Sequence, residues 1–417
     1  MKLLFIAVTL TAVVAAKEDR NLTAESNVNR RYTVESVELR PVELNRLSQP
    51  LRERITALIG LHFDPGVFDE VMGRIRRELR NWAVSMRLDR GTVPERIKVI
   101  FEAKKERQEV ELTVPRLTYH SKENFSFVSD IGWRDGGNNL RFGIVSNNDD
   151  LVERYSGARG SYERTALAGG RLRLGVELEA WRSQWNPAVE KGLAENAGVP
   201  GVYRTRVNVQ PSATMTLIRP LTLQLGVSVE RVETQYPLAR HELSSAAFMT
   251  LRFQRRWEPM PDRHGQLEAT YGLRSGTGLL ASDFIFSRHL WRAHYDLRGN
   301  RDEITISAQA GLIEGRAPLF ERFILGNSTT LRGWSKYDIA PFGADRMAHF
   351  SAGYRYRWAR VVYDTGAAWN AGASSKLRHS VGVGVTTNGS PSISAMVAFP
   401  LRGDGAITPI FITGLNF

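Results

Sequence analysis

The chain has 417 residues, with 56 Lys+Arg against 44 Asp+Glu, eight His and no Cys. Without cysteine there is no disulfide framework, thiolate zinc site, iron–sulfur cluster or cysteine nucleophile. Hydrophobic residues at 42% and charged residues at 24% are those of an ordinary folded chain, which excludes a disordered tail and a helical multispan membrane protein.

Met1-Lys2 is a short basic start, Leu3 to Val14 an apolar run, and Val14-Ala15-Ala16 a set of small residues fit for cleavage, so residues 1–16 read as a signal peptide. Export separates the net charge of +12 from nucleic acid, the partner that a basic chain would otherwise suggest, and no nucleic-acid binding is expected. Past Val14 no run of about 18 apolar residues occurs, so no membrane helix is expected in the mature chain. The polar stretch 17–31 reads as a linker.

Residues 32–105 carry a mixed pattern. A strand-like segment holds Tyr32, Val34, Val37 and Leu39 and ends at Pro41. Helical spacing follows over Leu47 to Ile59 and over Val67 to Arg80, then two strands, Ala83 to Leu88 and Ile97 to Phe101, around the turn residues Asp89-Arg90-Gly91. The spacing predicts a small three-stranded α+β module.

From residue 106 to the end the period becomes two. Leu221, Leu223, Leu225, Val227 and Val229 alternate with Thr222, Gln224, Gly226, Ser228 and Glu230, and the same split recurs around Leu174, Ile306 and Val383. A soluble sandwich also alternates, so alternation alone does not say where the apolar face points. Long strands, Trp and Tyr near strand ends, and charges such as Arg171, Arg173, Glu177, Arg252 and Arg355 on the polar face fit lipid outside and water inside. Sixteen strands are predicted, centred near 114, 129, 142, 160, 176, 209, 226, 251, 269, 288, 307, 352, 364, 382, 396 and 412. The predicted class is mainly β, a 16-stranded antiparallel transmembrane β-barrel behind the small module. An even count returns the chain to its starting side, so the module and the C-terminus share one side of the membrane. Gly414, Leu415 and Phe417 form an ending of the kind that bacterial barrels present to their assembly machinery.

One connection, about 315–346, is too long and too apolar for a surface turn, with Phe320, Phe323, Leu325, Leu331, Trp334 and Phe342. The lumen is the shelter available to it, so it is read as an inward-folded plug. The stretch ILGNSTTLRGW at 324–334, the strand AHFSAGYRYRW at 348–358 and VYDTGAAW at 362–369 resemble the BamA/TamA-like superfamily of outer-membrane assembly factors and two-partner-secretion translocators. In that family a hydrophobic-Arg-Gly-aromatic motif tips the inward loop, here Leu331-Arg332-Gly333-Trp334, and a later strand carries Asp-x-Gly, here Asp364-Thr365-Gly366. The resemblance makes the N-terminal module similar to a POTRA domain. It implies a bacterial outer-membrane location with that domain in the periplasm. The implied partners are outer-membrane lipids including lipopolysaccharide, an unfolded or secreted polypeptide client, and the machinery that inserts the barrel itself.

By alternation Asp364 faces inward and Arg332 is its natural partner, since a guanidinium can bind a carboxylate through two hydrogen bonds. The family's further lumen glutamate, on the strand before, is replaced here by Gly353. Pro115 and Pro409 fall in the two seam strands and Pro211 in a mid-sheet strand. G-x-S-x-G, H-E-x-x-H and a Walker loop are absent; His289 and His294 lie on opposite faces of a strand, and the remaining His are scattered. No enzyme activity, metal or cofactor is therefore expected. The function expected is insertion or translocation of polypeptide at the outer membrane; a passive or gated porin-like channel and a structural surface protein are the alternatives.

Overall fold

The structure is a computed structural model and describes residues 32–79, 82–105, 109–195, 201–218, 220–236, 238–260, 263–387, 392–402 and 408–416. The expected signal peptide, the linker and Phe417 lie outside the described residues. The chain divides into two compact units, Met1–Gln108 and Glu109–Phe417.

The first unit holds β1 (Thr33–Arg40), α1 (Gln49–Thr56), α2 (Pro65–Glu78), β2 (Trp82–Arg90) and β3 (Arg96–Lys105). Its sheet runs β1-β3-β2, with β1 parallel and β2 antiparallel to β3. Both helices start at prolines, which lack the N–H that a first turn leaves unpaired anyway: Pro50 opens α1, and Pro65 follows Asp64, whose carboxylate accepts from Gly66 N at 2.9 Å. That is why the helices start two residues away from the expected 47 and 67; α1 also ends at Thr56, three residues short of 59. Ile55, Phe68, Val71, Ile75, Val99 and Phe101 are its buried centre, and Phe68 lies between Phe63 and Phe101 at ring distances of 5.0 and 6.3 Å.

The second unit is a closed antiparallel barrel. Its wall is β4 (Glu109–His120), β5 (Asn124–Asp135), β6 (Asn138–Asn148), β7 (Glu153–Leu167), β8 (Leu172–Trp185), β9 (Val202–Ile218), β10 (Leu221–Tyr236), β12 (Ala246–Met260), β13 (Arg263–Gly276), β14 (Phe286–Arg298), β15 (Asp302–Gly315), β16 (Arg346–Tyr356), β17 (Ala359–Trp369), β18 (Arg378–Thr386), β19 (Ser392–Leu401) and β20 (Ile410–Asn416). The short β11 (Arg240–Leu243) pairs with β10 beyond the point where β10 and β12 pair directly. Each predicted strand centre falls inside one of the sixteen wall strands. The rim where the chain enters at Glu109 also receives Asn416; the turns after β4, β6, β8, β10, β13, β15, β17 and β19 lie on the far rim.

The burial is inside-out. Leu174, Val176, Leu178, Leu225 and Val229 are exposed while Ser228 is 0% and Glu230 2% exposed. A water-soluble fold does the reverse, so the exposed apolar face is the one that meets hydrocarbon. Closure removes free sheet edges, and the weakest junction is the seam: Leu117 to His120 of β4 face Leu415 to Ile412 of β20, four residues a side among the described residues. The register between β4 and β5 shifts between Thr113 and Arg116, across Pro115. Pro409, expected within the last strand, lies just ahead of it, because β20 starts at Ile410; Pro211 is inside β9, opposite Val176. Not every Trp near a strand end faces lipid: Trp181 and Trp185 turn toward interior partners, with Arg206 over the Trp181 ring and Trp185 meeting Tyr203 edge-on. The connection after β8 carries a helix, α3 (Pro187–Glu195), where only a loop was expected. Among the described residues no helix is long and apolar enough to cross a membrane.

Replacing Ile75, 0% exposed on α2, by Ala should cost the first unit about 2–5 kcal/mol. The check is proteolysis of the full chain in detergent: cleavage should move into residues 32–105 while the barrel keeps its heat-dependent gel mobility.

Candidate functional site

The connection between β15 and β16, residues 316–345, folds into the far-rim half of the lumen. Leu319, Phe323, Leu325 and Leu331 are almost fully buried, and Leu325 and Leu331 pack with inward-facing Phe286, Leu290, Ile313 and Met347. Burying the loop's apolar side chains is worth on the order of 10 kcal/mol, an upper estimate. Local chemistry shapes its tip. Asn327 Oδ1 accepts from the backbone N of Thr329 and of Thr330, each at 2.9 Å, an Asx turn. Leu331 takes a left-handed φ of 46°, unfavourable for a leucine, and its N donates to His349 Nε2 at 3.3 Å.

The predicted motif residues meet here. Arg332 Nη1 donates to Asp364 Oδ1 at 2.7 Å and its backbone N to Asp364 Oδ2 at 3.1 Å, so one carboxylate of β17 holds both the side chain and the main chain of the loop tip. The pair is 15% and 2% exposed. Gly353 is not the neighbour that matters on β16: it pairs with Val362, and Ser351 stands opposite Asp364 and accepts from Arg332 Nη1 at 3.3 Å. A hydroxyl thus occupies the place where a second acid was looked for. At Gly333 a Cβ would come within 2.6 Å of the Phe399 backbone, and at Gly366 within 2.7 Å of Ala348 O, so both glycines permit close backbone contact. Trp334 donates its indole N–H to His379 O at 2.9 Å and lies between the guanidinium groups of Arg378 and Arg402, 5.2 and 4.7 Å from the ring centre. Gly414 and Leu415 stand apart from this cluster, in β20 at the seam, opposite Thr118 and Leu117.

Two further anchors escaped the sequence reading. Glu321 receives Arg274 Nε at 2.7 Å and Arg288 Nε at 3.5 Å; Arg274 also reaches Glu230, which pairs with Arg206 at 3.2 Å. Arg206 in turn lies 4.5 Å over the Phe320 ring. These residues come from β9, β10, β13, β14 and the loop, far apart in sequence, and only a period-two assignment of every strand would have put them on one inner face. The second is Lys336, on the single turn α4 (Lys336–Ile339), which pairs with Asp149 in the connection after β6 beside buried His120 and Glu123. Burial pushes Glu123, in the first far-rim turn, up to about 7, against the pull of Lys336 and helped by Asp149. Burial alone would depress the Lys336 ammonium, but Glu123 and Asp149 carry it above its ordinary value. Toward the entry rim the lumen keeps a polar cavity of about 320 Å³, lined among others by Arg141, Arg173, Glu177, Thr214 and Gln224. Among the described residues no His, Asp and Glu group is arranged to hold a metal ion.

The described residues thus form a sixteen-stranded closed barrel with an anchored loop folded into its far-rim half. Residues 271–405, which contain the loop and both motif strands, match the Omp85 superfamily domain. Among solved structures the chain is similar to BamA from Haemophilus ducreyi lacking POTRA domains 1–3, with 13% identity, TM-score 0.58, and 93% of this chain and 85% of that one covered. It is similar to CdiB from Acinetobacter baumannii, at 12% identity and TM-score 0.59 over 93% and 74%. It also resembles CdiB from Escherichia coli, at 11% identity and TM-score 0.55 over 97% and 98%. At such identities these likenesses are of fold. A comparison with curated protein sequences finds no match.

Asp364→Asn should strand Arg332 and loosen the loop by about 3–5 kcal/mol, read as new protease cleavage after Arg322 or Arg332 in the folded barrel; unchanged protection would refute the anchoring role. Glu123 binds its proton more tightly folded than unfolded. Its contribution is therefore complete below its ordinary 4.5 and is lost as pH rises through 7, up to about 3 kcal/mol. Hydrogen exchange at the Ser121–Asn124 turn, corrected for the intrinsic rate, should speed up between pH 5 and 8 by about tenfold or more, and Glu123→Gln should abolish that dependence.

Proposed function

We propose that the chain inserts polypeptide into, or passes it across, the bacterial outer membrane, with the loop at 316–345 as a lumen plug whose displacement accompanies client passage. The observation that carries this reading is the combination of a seam paired over four residues a side among the described residues with a lumen closed by a loop held through charged pairs. A passive pore has no use for an apolar cluster buried across its own channel. In this reading the signal peptide directs export, the first unit and the entry rim face the periplasm, and the far rim faces outside. The first unit acts as a POTRA-like receiver for an extended client strand by strand addition. β2 is the edge proposed for it, since among the described residues β2 pairs with β3 alone, although Arg76 of α2 donates to Val84 O at 3.0 and 2.5 Å and covers part of that edge. Gly414, Leu415 and Phe417 serve the chain's own insertion by the barrel-assembly machinery, and outer-membrane lipids including lipopolysaccharide surround the apolar belt. The protein is not an enzyme in this reading and takes no cofactor.

The test is reconstitution of the full chain in liposomes. Faster folding of a second barrel, or capture of an unfolded chain, is the expected result, strengthened at least several-fold by Asp364→Asn. Steady ion conductance without either effect would refute the proposal.

A further inference from the structure

The outer face of β7 to β10 carries an arginine cluster in which Arg182, Arg204 and Arg231 have no partner among the described residues. On β8 the outward row runs Leu172, Leu174, Val176, Leu178, Ala180 and then Arg182; on β10 it runs Leu221 to Val229 and then Arg231. The register fixes the shared face. Leu178 is opposite Val209, which is opposite Val229, while Ala180 is opposite Val207, itself opposite Arg231, and Arg182 is opposite Thr205. Each arginine is thus the first residue beyond the apolar belt at the far rim. A register shift between Glu233 and Thr234 leaves Arg204 as the extra residue of β9 between Tyr203 and Thr205, also exposed. Arg154 joins the row from β7, exposed and paired to Asp150.

Arg182, Arg204 and Arg231 have no hydrogen bond or ion pair among the described residues. Of the carboxylates beside them, Asp150 is taken by Arg154 and Glu233 accepts from Thr205 Oγ1 at 2.8 Å, so the cluster keeps excess positive charge. Neighbouring strands lie about 4.8 Å apart and residues rise about 3.4 Å along a strand; two strands and two residues of offset put Arg182 and Arg231 about 12 Å apart across the wall, within reach of two phosphates of one molecule. Two and three strands on from β10, the same step past the belt is Ser275 on β13 and Ser287 on β14.

From these placements we infer that the far-rim face of β7 to β10 is a binding site for the phosphorylated headgroup of an outer-leaflet glycolipid, with Arg182, Arg204 and Arg231 as its phosphate ligands. Cations just above a hydrocarbon belt meet lipid headgroups, and guanidinium groups bind phosphate through paired hydrogen bonds. The site rests on the membrane placement proposed above and lends it a side: the wall sector from β7 to β10, which begins three strands from the seam strand β4, holds lipid tightly.

The experiment is native mass spectrometry of the full chain released from zwitterionic vesicles doped with lipopolysaccharide or with its dephosphorylated form. Wild type should retain the phosphorylated lipid at least tenfold better than the dephosphorylated one. R182Q and R231Q should each weaken retention several-fold and the R182Q/R204Q/R231Q variant should abolish the preference, whereas R301Q at the entry rim should leave it intact. Heat-dependent gel mobility checks that each variant is a closed barrel, and the two single variants stand if the triple does not fold. Equal retention of both lipids by wild type, or full retention by the folded single variants, overturns the site. Displacement of the glycolipid by millimolar inorganic phosphate overturns it too, since a free anion would then be the ligand. Client insertion is scored separately, so a barrel that holds the lipid and inserts nothing counts against the proposed function and not against this site.

Discussion

A carboxylate taken out of water has to find a cation, and the upper lumen of this barrel is arranged by that requirement. Asp364 is 2% exposed on a strand whose other face meets hydrocarbon, so it cannot be solvated by bulk water, and the strand cannot turn over without exposing Val361 and Tyr363 to the lumen. The partner must come from elsewhere in the chain. A loop carrying Arg332 supplies it, and the same carboxylate takes the backbone N–H of that arginine. Loop and wall are therefore specified together: the alternation that makes the strand fit lipid also creates the demand that the loop satisfies.

Most of the fold was legible because lipid imposes a strict period of two. The sixteen strands and the long inward connection follow from which residues face inward; the Arg332–Asp364 contact also needed the motif resemblance to single out Arg332. What was not legible depends on register between strands distant in sequence. Glu321 with Arg274 and Arg288, and Lys336 with Asp149, are ordinary charged residues in the sequence and acquire partners only when the ring closes. Ser351 shows the same limit at finer scale. The resemblance pointed to Gly353, but the β16 residue opposite Asp364 is Ser351, two positions away. In the first unit the helix starts moved because proline chemistry at the first turn outweighs hydrophobic spacing.

The three charged anchors sit on different parts of the wall, and their distribution bears on how the loop can leave. Arg332 and Trp334 tie the tip to β17, β18 and β19; Glu321 ties the early part to β13 and β14; Lys336 ties α4 to the connection after β6, beside the turn that follows β4. A loop held at a single point could swing as a hinge. Held at three, it must break two buried contacts before the third becomes a pivot, which makes its release cooperative and keeps partly open states sparsely populated.

Lys336 adds a connection that the motif residues lack. Its ammonium packs among Asp149, Glu123 and His120, and His120 is also the last β4 residue to pair across the seam, with Ile412 of β20. Removing the loop therefore withdraws the cation from two buried acids next to the junction where the wall is least paired. The loss falls on the strand end that closes the ring, not on a strand deep within the sheet. Plug release and seam loosening then share a term in the free energy: whatever favours one makes the other easier, by reciprocity of coupling between two equilibria. A barrel with its seam on the far side from α4 would have the same plug without that link.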